Sequence, residues 1–156
     1  NYTGFVYVDG EFKMTGQAGW DPLNWGGDGE GNLVRGGDNI KVDPSGLYYV
    51  TANLNDLKYT LTHITTIGLI GGFNNWGGDV ALTPSDDLKT WTGEVTTESA
   101  DIEWKFRMNN AWTVNLGGAA DNLVVDGGNL KFEAAGTYTV TLNLGSLPYT
   151  CTIVKK

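Results

Sequence analysis

The sequence predicts an all-β protein made of two tandem immunoglobulin-like β-sandwich modules, the first lacking its opening strand. Three observations predict it. Apolar and polar residues alternate along several runs, turn residues break those runs at short intervals, and most of the chain repeats itself about ninety residues later. Glycine, 23 of 156 residues, and an aromatic content of 12% favour short strands and tight turns over helices, and no amphipathic helical period stands out.

Taken in order, Tyr2 to Val8 reads as a strand, Asp9-Gly10 as a two-residue hairpin turn and Glu11 to Met14 as the returning strand. Residues 15–39, polar and glycine-rich, hold Trp20 and Trp25 and offer little regular structure. Ile40 to Val42, Leu47 to Leu54 and Leu57 to Ile64 supply three more strands, separated by Pro44-Ser45-Gly46 and Asn55-Asp56. In Ile102-Glu103-Trp104-Lys105-Phe106-Arg107-Met108, period two sends Ile102, Trp104, Phe106 and Met108 to a core and Glu103, Lys105 and Arg107 to the opposite face. Tyr138, Val140, Leu142 and Leu144 form a second inward set, and Gly-x-Tyr ahead of each long strand places its tyrosine at a sheet corner.

The repeat fixes the domain plan. Tyr2-Thr3-Gly4 matches Trp91-Thr92-Gly93, Glu11-Phe12-Lys13-Met14 matches Glu103-Trp104-Lys105-Phe106, and Trp20 falls on Trp112. Asn32-Leu33-Val34 meets Asn122-Leu123-Val124, and Gly46, Tyr48 and Val50 meet Gly136, Tyr138 and Val140. The boundary falls between residues 64 and 65, giving a module over 1–64 and another over 65–156. The second begins with Thr66 to Gly71, an Asn-Trp loop and Asp79 to Lys89, for which the first has no counterpart. The expectation is that the first module is truncated and that Asn1 is not the native start.

Composition narrows the function classes. A formal net charge of −8 and a pI near 4.4 disfavour nucleic acid and a membrane surface, and favour a neutral or cationic partner. A single cysteine excludes an intramolecular disulfide and a cysteine metal cluster. His63 matches Ile153 and Cys151 matches Leu61, so both read as structural residues; Asp86-Asp87 reads as a solvated turn. Asp28-Gly29-Glu30-Gly31-Asn32 has the look of a calcium loop, but its counterpart, Ala119-Ala120-Asp121-Asn122, loses most of the acids, and no metal or other cofactor is expected.

Binding of a neutral carbohydrate suits the remaining residues. A sugar ring presents an apolar C–H face and a rim of hydroxyls, so its site needs a flat aromatic and nearby polar groups. Trp76, after Asn74-Asn75, and Trp112, after Asn109-Asn110, sit in polar turns where core packing is poorly served. Lys105 and Arg107 emerge from the outward face of the strand leading to Trp112, and with Asn74, Asn75 and Asn110 in the two turns they are the candidate polar groups for sugar hydroxyls. The competing reading is that both tryptophans pack loops onto the sandwich end, in modules that serve as spacers. Trp91, in phase with Val95, belongs to the core.

With these residues in hand, the chain resembles the tandem starch-binding modules of the SusE and SusF outer-membrane lipoproteins. The carriers are Ile70-Gly71-Gly72-Phe73-Asn74-Asn75-Trp76, Trp91-Thr92-Gly93-Glu94-Val95, Trp104-Lys105-Phe106-Arg107, Asn115-Leu116-Gly117-Gly118 and Gly136 to Leu144. The resemblance implies a protein of the outer membrane and cell surface, lipid-anchored through a segment outside this chain, that holds starch or maltooligosaccharide without cleaving it. It also implies other outer-membrane glycan-uptake proteins as partners. Trp76 and Trp112 look like the aromatic arc of that family and Lys105 like its basic partner, with Lys13 and Trp20 as the corresponding remnants in the first module. A different neutral glycan remains the alternative substrate.

Overall fold

A computed structural model describes residues 1–19 and 23–156. The chain divides into two compact units, Asn1–Ile64 and Thr65–Lys156. Both are all-β sandwiches built from antiparallel strands, with one 3-10 turn, Gly72–Asn74, and no α-helix among the described residues.

The first unit comprises β1 (Tyr2–Val8), β2 (Glu11–Phe12), β3 (Met14–Thr15), β4 (Asn24–Gly27), β5 (Leu33–Arg35), β6 (Ile40–Lys41), β7 (Gly46–Asn53) and β8 (Lys58–His63). One layer has the order β1-β7-β8; the other is formed by the pair β2-β6 and the ribbon β3-β4-β5. Two sequence expectations need correcting. Asp9-Gly10 does not close a hairpin: β1 pairs with β7 and β2 with β6, so this turn, with Gly10 at φ 80°, carries the chain from one layer to the other. Residues 15–39 hold β4, β5 and the end of β3. Their strands are too short and too rich in glycine for period two to show.

The second unit comprises β9 (Ile67–Gly71), β10 (Val80–Ala81), β11 (Thr83–Pro84), β12 (Thr90–Thr97), β13 (Ile102–Met108), β14 (Ala111–Ala119), β15 (Asn122–Val125), β16 (Leu130–Phe132), β17 (Gly136–Asn143) and β18 (Thr150–Lys155). One sheet runs β10-β9-β13-β14-β15, with β16 also paired to β13; the other runs β11-β12-β17-β18. Their inner faces meet in a core of alternate residues. Trp104, Phe106 and Met108 from β13, Leu69 from β9, and Val140 and Leu142 from β17 are all buried. Trp104 stacks on Phe132 (4.9 Å between ring centroids), which stacks on Tyr138 of the opposite sheet (4.6 Å). Buried side chains of this size stabilise the fold by about 2 kcal/mol each, enough to offset the buried Trp104 Nε1, which has no hydrogen-bond partner among the described residues. Trp91, at 3% exposure, lies in the same core.

The two units repeat individual bonds as well as strand order. Tyr48 Oη donates to the Pro44 carbonyl (2.6 Å) and Tyr138 Oη to that of Ala134 (2.7 Å), the expected corner tyrosines. Asn39 Nδ2 donates to Glu11 (2.8 Å) and Asn129 Nδ2 to Glu103 (3.2 Å). His63 stacks on Tyr48 at 4.8 Å. Cys151 is buried in the core, which pushes its thiol up to about 11 and leaves it a packed apolar group. The carboxylate of Asp28 accepts the Glu30 and Asn32 backbone amides (2.8 and 3.1 Å) and the Asn32 side-chain amide, so it is turned onto its own loop.

Both units also need glycine at one matching pair of positions. A loop crosses β14 so closely that a Cβ on Gly117 would lie 2.1 Å from the Gly128 carbonyl oxygen, and one on Gly26 would lie 1.9 Å from that of Asp38. Gly118 N donates to Gly128 O (2.6 Å) and Gly27 N to Asp38 O (2.9 Å), which fixes each crossing. Gly117→Ala and Gly26→Ala are each expected to cost about 1–3 kcal/mol by overpacking. Denaturant unfolding followed by amide exchange should localise each loss to its own unit.

Candidate functional site

The candidate site is built on two loops and one strand of the second unit. The first loop follows β9. Gly72–Asn74 makes a single 3-10 turn, Asn75 closes it at φ 57° and ψ 34°, and Trp76 follows at φ 59°. Trp76 N donates to Gly71 O (2.8 Å) and Gly77 N to Asn74 O (3.1 Å). Asparagine tolerates the left-handed region, whereas a tryptophan there carries strain on the order of 1–2 kcal/mol. The loop therefore holds Trp76 at a local conformational cost, with 38% of its surface exposed.

The second loop is the hairpin between β13 and β14. Met108 pairs with Ala111 across Asn109 and Asn110, both at positive φ (54° and 52°), the backbone of a type I′ turn. Arg107 pairs with Asn115, so residues 112–114 have no opposite number and form a bulge. Trp112 lies in this bulge and is 49% exposed. Its ring centroid is 6.2 Å from that of Trp76, with the planes tilted by 38°. Two tryptophans distant in sequence thus form one angled aromatic surface.

The base of this surface is an ion pair. Arg107 Nε donates to Asp79 Oδ1 and Oδ2 (2.9 and 3.1 Å) and Nη2 to Oδ1 (2.6 Å), while the Arg107 guanidinium carbon lies 5.1 Å from the Trp112 ring centroid. Side-chain exposure is 14% for Arg107 and 4% for Asp79. A two-pronged, dehydrated pair of this kind fixes the guanidinium plane, which supports the indole by cation–π attraction. The sequence suggests Arg107 as a donor toward a sugar; in the structure its Nε and Nη2 are committed to Asp79 and its guanidinium lies against Trp112. No local signal in the sequence marks Asp79, 28 residues from its partner. Asn115 Nδ2 donates to Trp112 O (3.1 Å) and Asp126 Oδ1 (2.8 Å), tying the bulge to the strand.

The remaining predicted residues divide by use. Lys105 projects from the same face of β13 as Arg107, about 7 Å along the strand, and its stem passes over Gly117, where a Cβ would lie 3.0 Å from Lys105 Cε. It has no hydrogen-bond or ion-pair partner among the described residues. Asn75 and Asn110 are exposed at the tips of their turns. Asn74 spends its side-chain amide on Gly78 O (2.9 Å). Asn109 Oδ1 accepts from Thr65 N (2.8 Å), Thr65 Oγ1 (3.2 Å) and Thr66 N (3.4 Å), a clamp on the start of the unit. In the first unit, Lys13 lines a polar cleft with Glu11, Asp38, Asn39 and Lys41. Trp20 lies outside the described residues. Among those described, no group of three acidic, histidine or cysteine side chains is placed to hold a metal ion.

No family model and no curated protein matches the chain. Among solved structures, it is similar to SusF from Bacteroides thetaiotaomicron, with 20% identity over 99% of this chain and a TM-score of 0.47. The chain spans 42% of the length of that structure.

Asp79→Ala leaves the buried Arg107 charge unpaired and is expected to destabilise the second unit by about 3 kcal/mol. The same change should release Trp112, read as a loss of order for its indole N–H in NMR relaxation. Unchanged Trp112 order in that variant would show that the ion pair does not hold the ring.

Proposed function

We propose that this chain is a non-catalytic binding protein for a neutral polysaccharide, with Trp76 and Trp112 as its stacking surface. The observation that carries this reading is the exposed, angled pair of indoles, fastened from below by Arg107 and Asp79. Apolar rings of this size held at solvent and backed by a charge pair serve a ligand with an apolar face. Asn75 and Asn110, exposed in the turns that carry the two rings, and Lys105, on the same strand face as Arg107, are the proposed donors for hydroxyls. A neutral glycan also meets no repulsion from a chain of net charge −8.

Within that class the proposed ligand is α-1,4-glucan, as starch or maltooligosaccharide. Two planes inclined at 38° fit a chain that curves, whereas a flat, ribbon-like glycan is better served by coplanar rings. The motif resemblance to the SusE and SusF proteins points the same way. It further suggests a location at the outer-membrane surface through a lipid anchor, in company with other glycan-uptake proteins. On this reading residues 65–156 and 1–64 are two carbohydrate-binding modules, with Lys13 and Trp20 as the first one's counterparts to Lys105 and Trp112. Weak individual sites would gain strength from tandem presentation to a multivalent polymer. The spacer reading draws on one observation, that Trp76 and Trp112 also touch each other and so pack their loops together.

Titration with maltoheptaose should give a saturable change in tryptophan fluorescence, with cello- and xylooligosaccharides as controls. Trp112→Ala is expected to lower affinity at least about tenfold, a loss of roughly 1.4 kcal/mol, with the thermal midpoint nearly unchanged. A response to another glycan alone would replace the ligand, and no response to any would support the spacer. Glucan incubated with the protein should release no reducing ends. Trp76→Gly separates function from folding further. It relieves the left-handed strain, so stability should stay within about 1 kcal/mol of the parent, while binding is lost.

A further inference from the structure

Arg107 on β13 is the register partner of Asn115 on β14, so the two side chains share the outward face of the sheet. Leu116 pairs with Val125, which sets Asn115 opposite Asp126 just past the end of β15. Asp126 N donates to Asn115 O (3.2 Å) and Gly127 N to Val124 O (3.1 Å), the bonds of a tight turn. The first unit makes the same turn at the matching place, with Gly36 N donating to Asn24 O and Gly37 N to Val34 O (both 2.9 Å). Each turn needs a left-handed residue, Gly36 at φ 68° and Asp126 at φ 57°. Glycine is at ease there, whereas aspartate is only tolerated. The second unit therefore carries a carboxylate where the turn itself asks for glycine.

One oxygen of that carboxylate is used. Asp126 Oδ1 accepts from Asn115 Nδ2 (2.8 Å), which also donates to the Trp112 carbonyl (3.1 Å). Asn115 is 4% exposed, and its Oδ1 is buried with no hydrogen-bond partner among the described residues. The amide is turned to suit Asp126 and Trp112 at the expense of its own acceptor. Asp126 is exposed, and its Oδ2 has no partner among the described residues. The loop it leads continues over β14 at Gly117, where a Cβ would lie 2.7 Å from Gly127 O and 3.0 Å from Lys105 Cε. This loop is thus linked to Trp112 through Asn115 and runs beside the Lys105 stem, and Asp126 and Lys105 form no ion pair with each other.

We propose that Asp126 is the hydrogen-bond acceptor of the candidate site, its Oδ2 receiving hydroxyls at the edge of the sugar ring that stacks on Trp112. This rests on the glycan-binding reading above and deepens it. A carboxylate only accepts and an ammonium only donates, so Asp126 and Lys105 engage the two capacities of a hydroxyl rim from separate positions. A hydroxyl bound to a carboxylate makes a charge-assisted bond, about twice as strong as a neutral one. With Gly36 at the matching place, the first unit lacks this acceptor.

Isothermal titration of the whole chain compares the parent with Asp126→Gly, Asp126→Asn and Trp112→Ala, using whichever of maltoheptaose, cello- and xylooligosaccharide the parent binds. Asp126→Gly installs the residue that the first unit has in this turn, so its thermal midpoint should hold or rise while affinity falls about tenfold. Asp126→Asn keeps Oδ1 for Asn115 and replaces Oδ2 by an amide nitrogen; affinity should fall at least about threefold. A residue that serves only to tie down Asn115 would survive that change, so parental affinity in Asp126→Asn overturns the proposal, as does parental affinity in Asp126→Gly. In either case, binding by the parent that Trp112→Ala abolishes leaves the glycan reading standing. No binding of any of the three sugars by the parent overturns both.

Discussion

One strand, β13, has to satisfy two environments at once, and the second unit is arranged around that demand. Its inward residues, Trp104, Phe106 and Met108, are fully buried, and Trp104 begins a stack that passes through Phe132 to Tyr138 on the facing sheet. Its outward residues are Arg107, whose guanidinium carbon lies 5.1 Å from the Trp112 ring centroid, and Lys105, two residues back on the same face. Because side chains alternate strictly, a slip of one residue would send the lysine and arginine into the core and the aromatics into water. Core packing therefore sets the register of the candidate site.

The candidate site is held by groups whose own needs are met internally. Asp79 and Arg107 neutralise each other where water is excluded, and the Trp112 bulge is tied down by Asn115. Trp76 is kept in a backbone conformation that tryptophan does not favour, by bonds from residues on either side of it. Such pre-ordering lowers the entropy lost when a ligand settles on the rings. Lys105, with no hydrogen-bond or ion-pair partner among the described residues, is the contrasting element: its ammonium is left to solvent or to a ligand.

How much of this was legible in the sequence depends on the range of the interaction. Period two placed Trp104, Phe106, Val140 and Leu142 in the core, because alternation is local and the long strands carry it cleanly. The repeat exposed the corner tyrosines. By contrast, β4 and β5 are written in three or four residues each, two of them glycines in β4, too short for any period to register. Asp9-Gly10 has the composition of a hairpin turn, but composition does not reveal which sheet the next strand joins. Asp79 could not be matched to Arg107, since two charges 28 residues apart show no pattern until the fold brings them together. Asn109 has the look of a turn residue beside the tryptophan, whereas its side chain accepts from Thr65 and Thr66.

That last contact has a mechanical side. The hairpin that carries Trp112 is bonded through Asn109, by side chain and by its own N–H to Thr66 O (2.9 Å), to the residues where the chain enters the second unit. Tension applied at the hairpin reaches the incoming backbone across a few short hydrogen bonds at one end of the sandwich. The same pull also runs along β13 itself, whose Trp104, Phe106 and Met108 are buried, so the Asn109 clamp shares with the core strand a load that would otherwise fall on it alone.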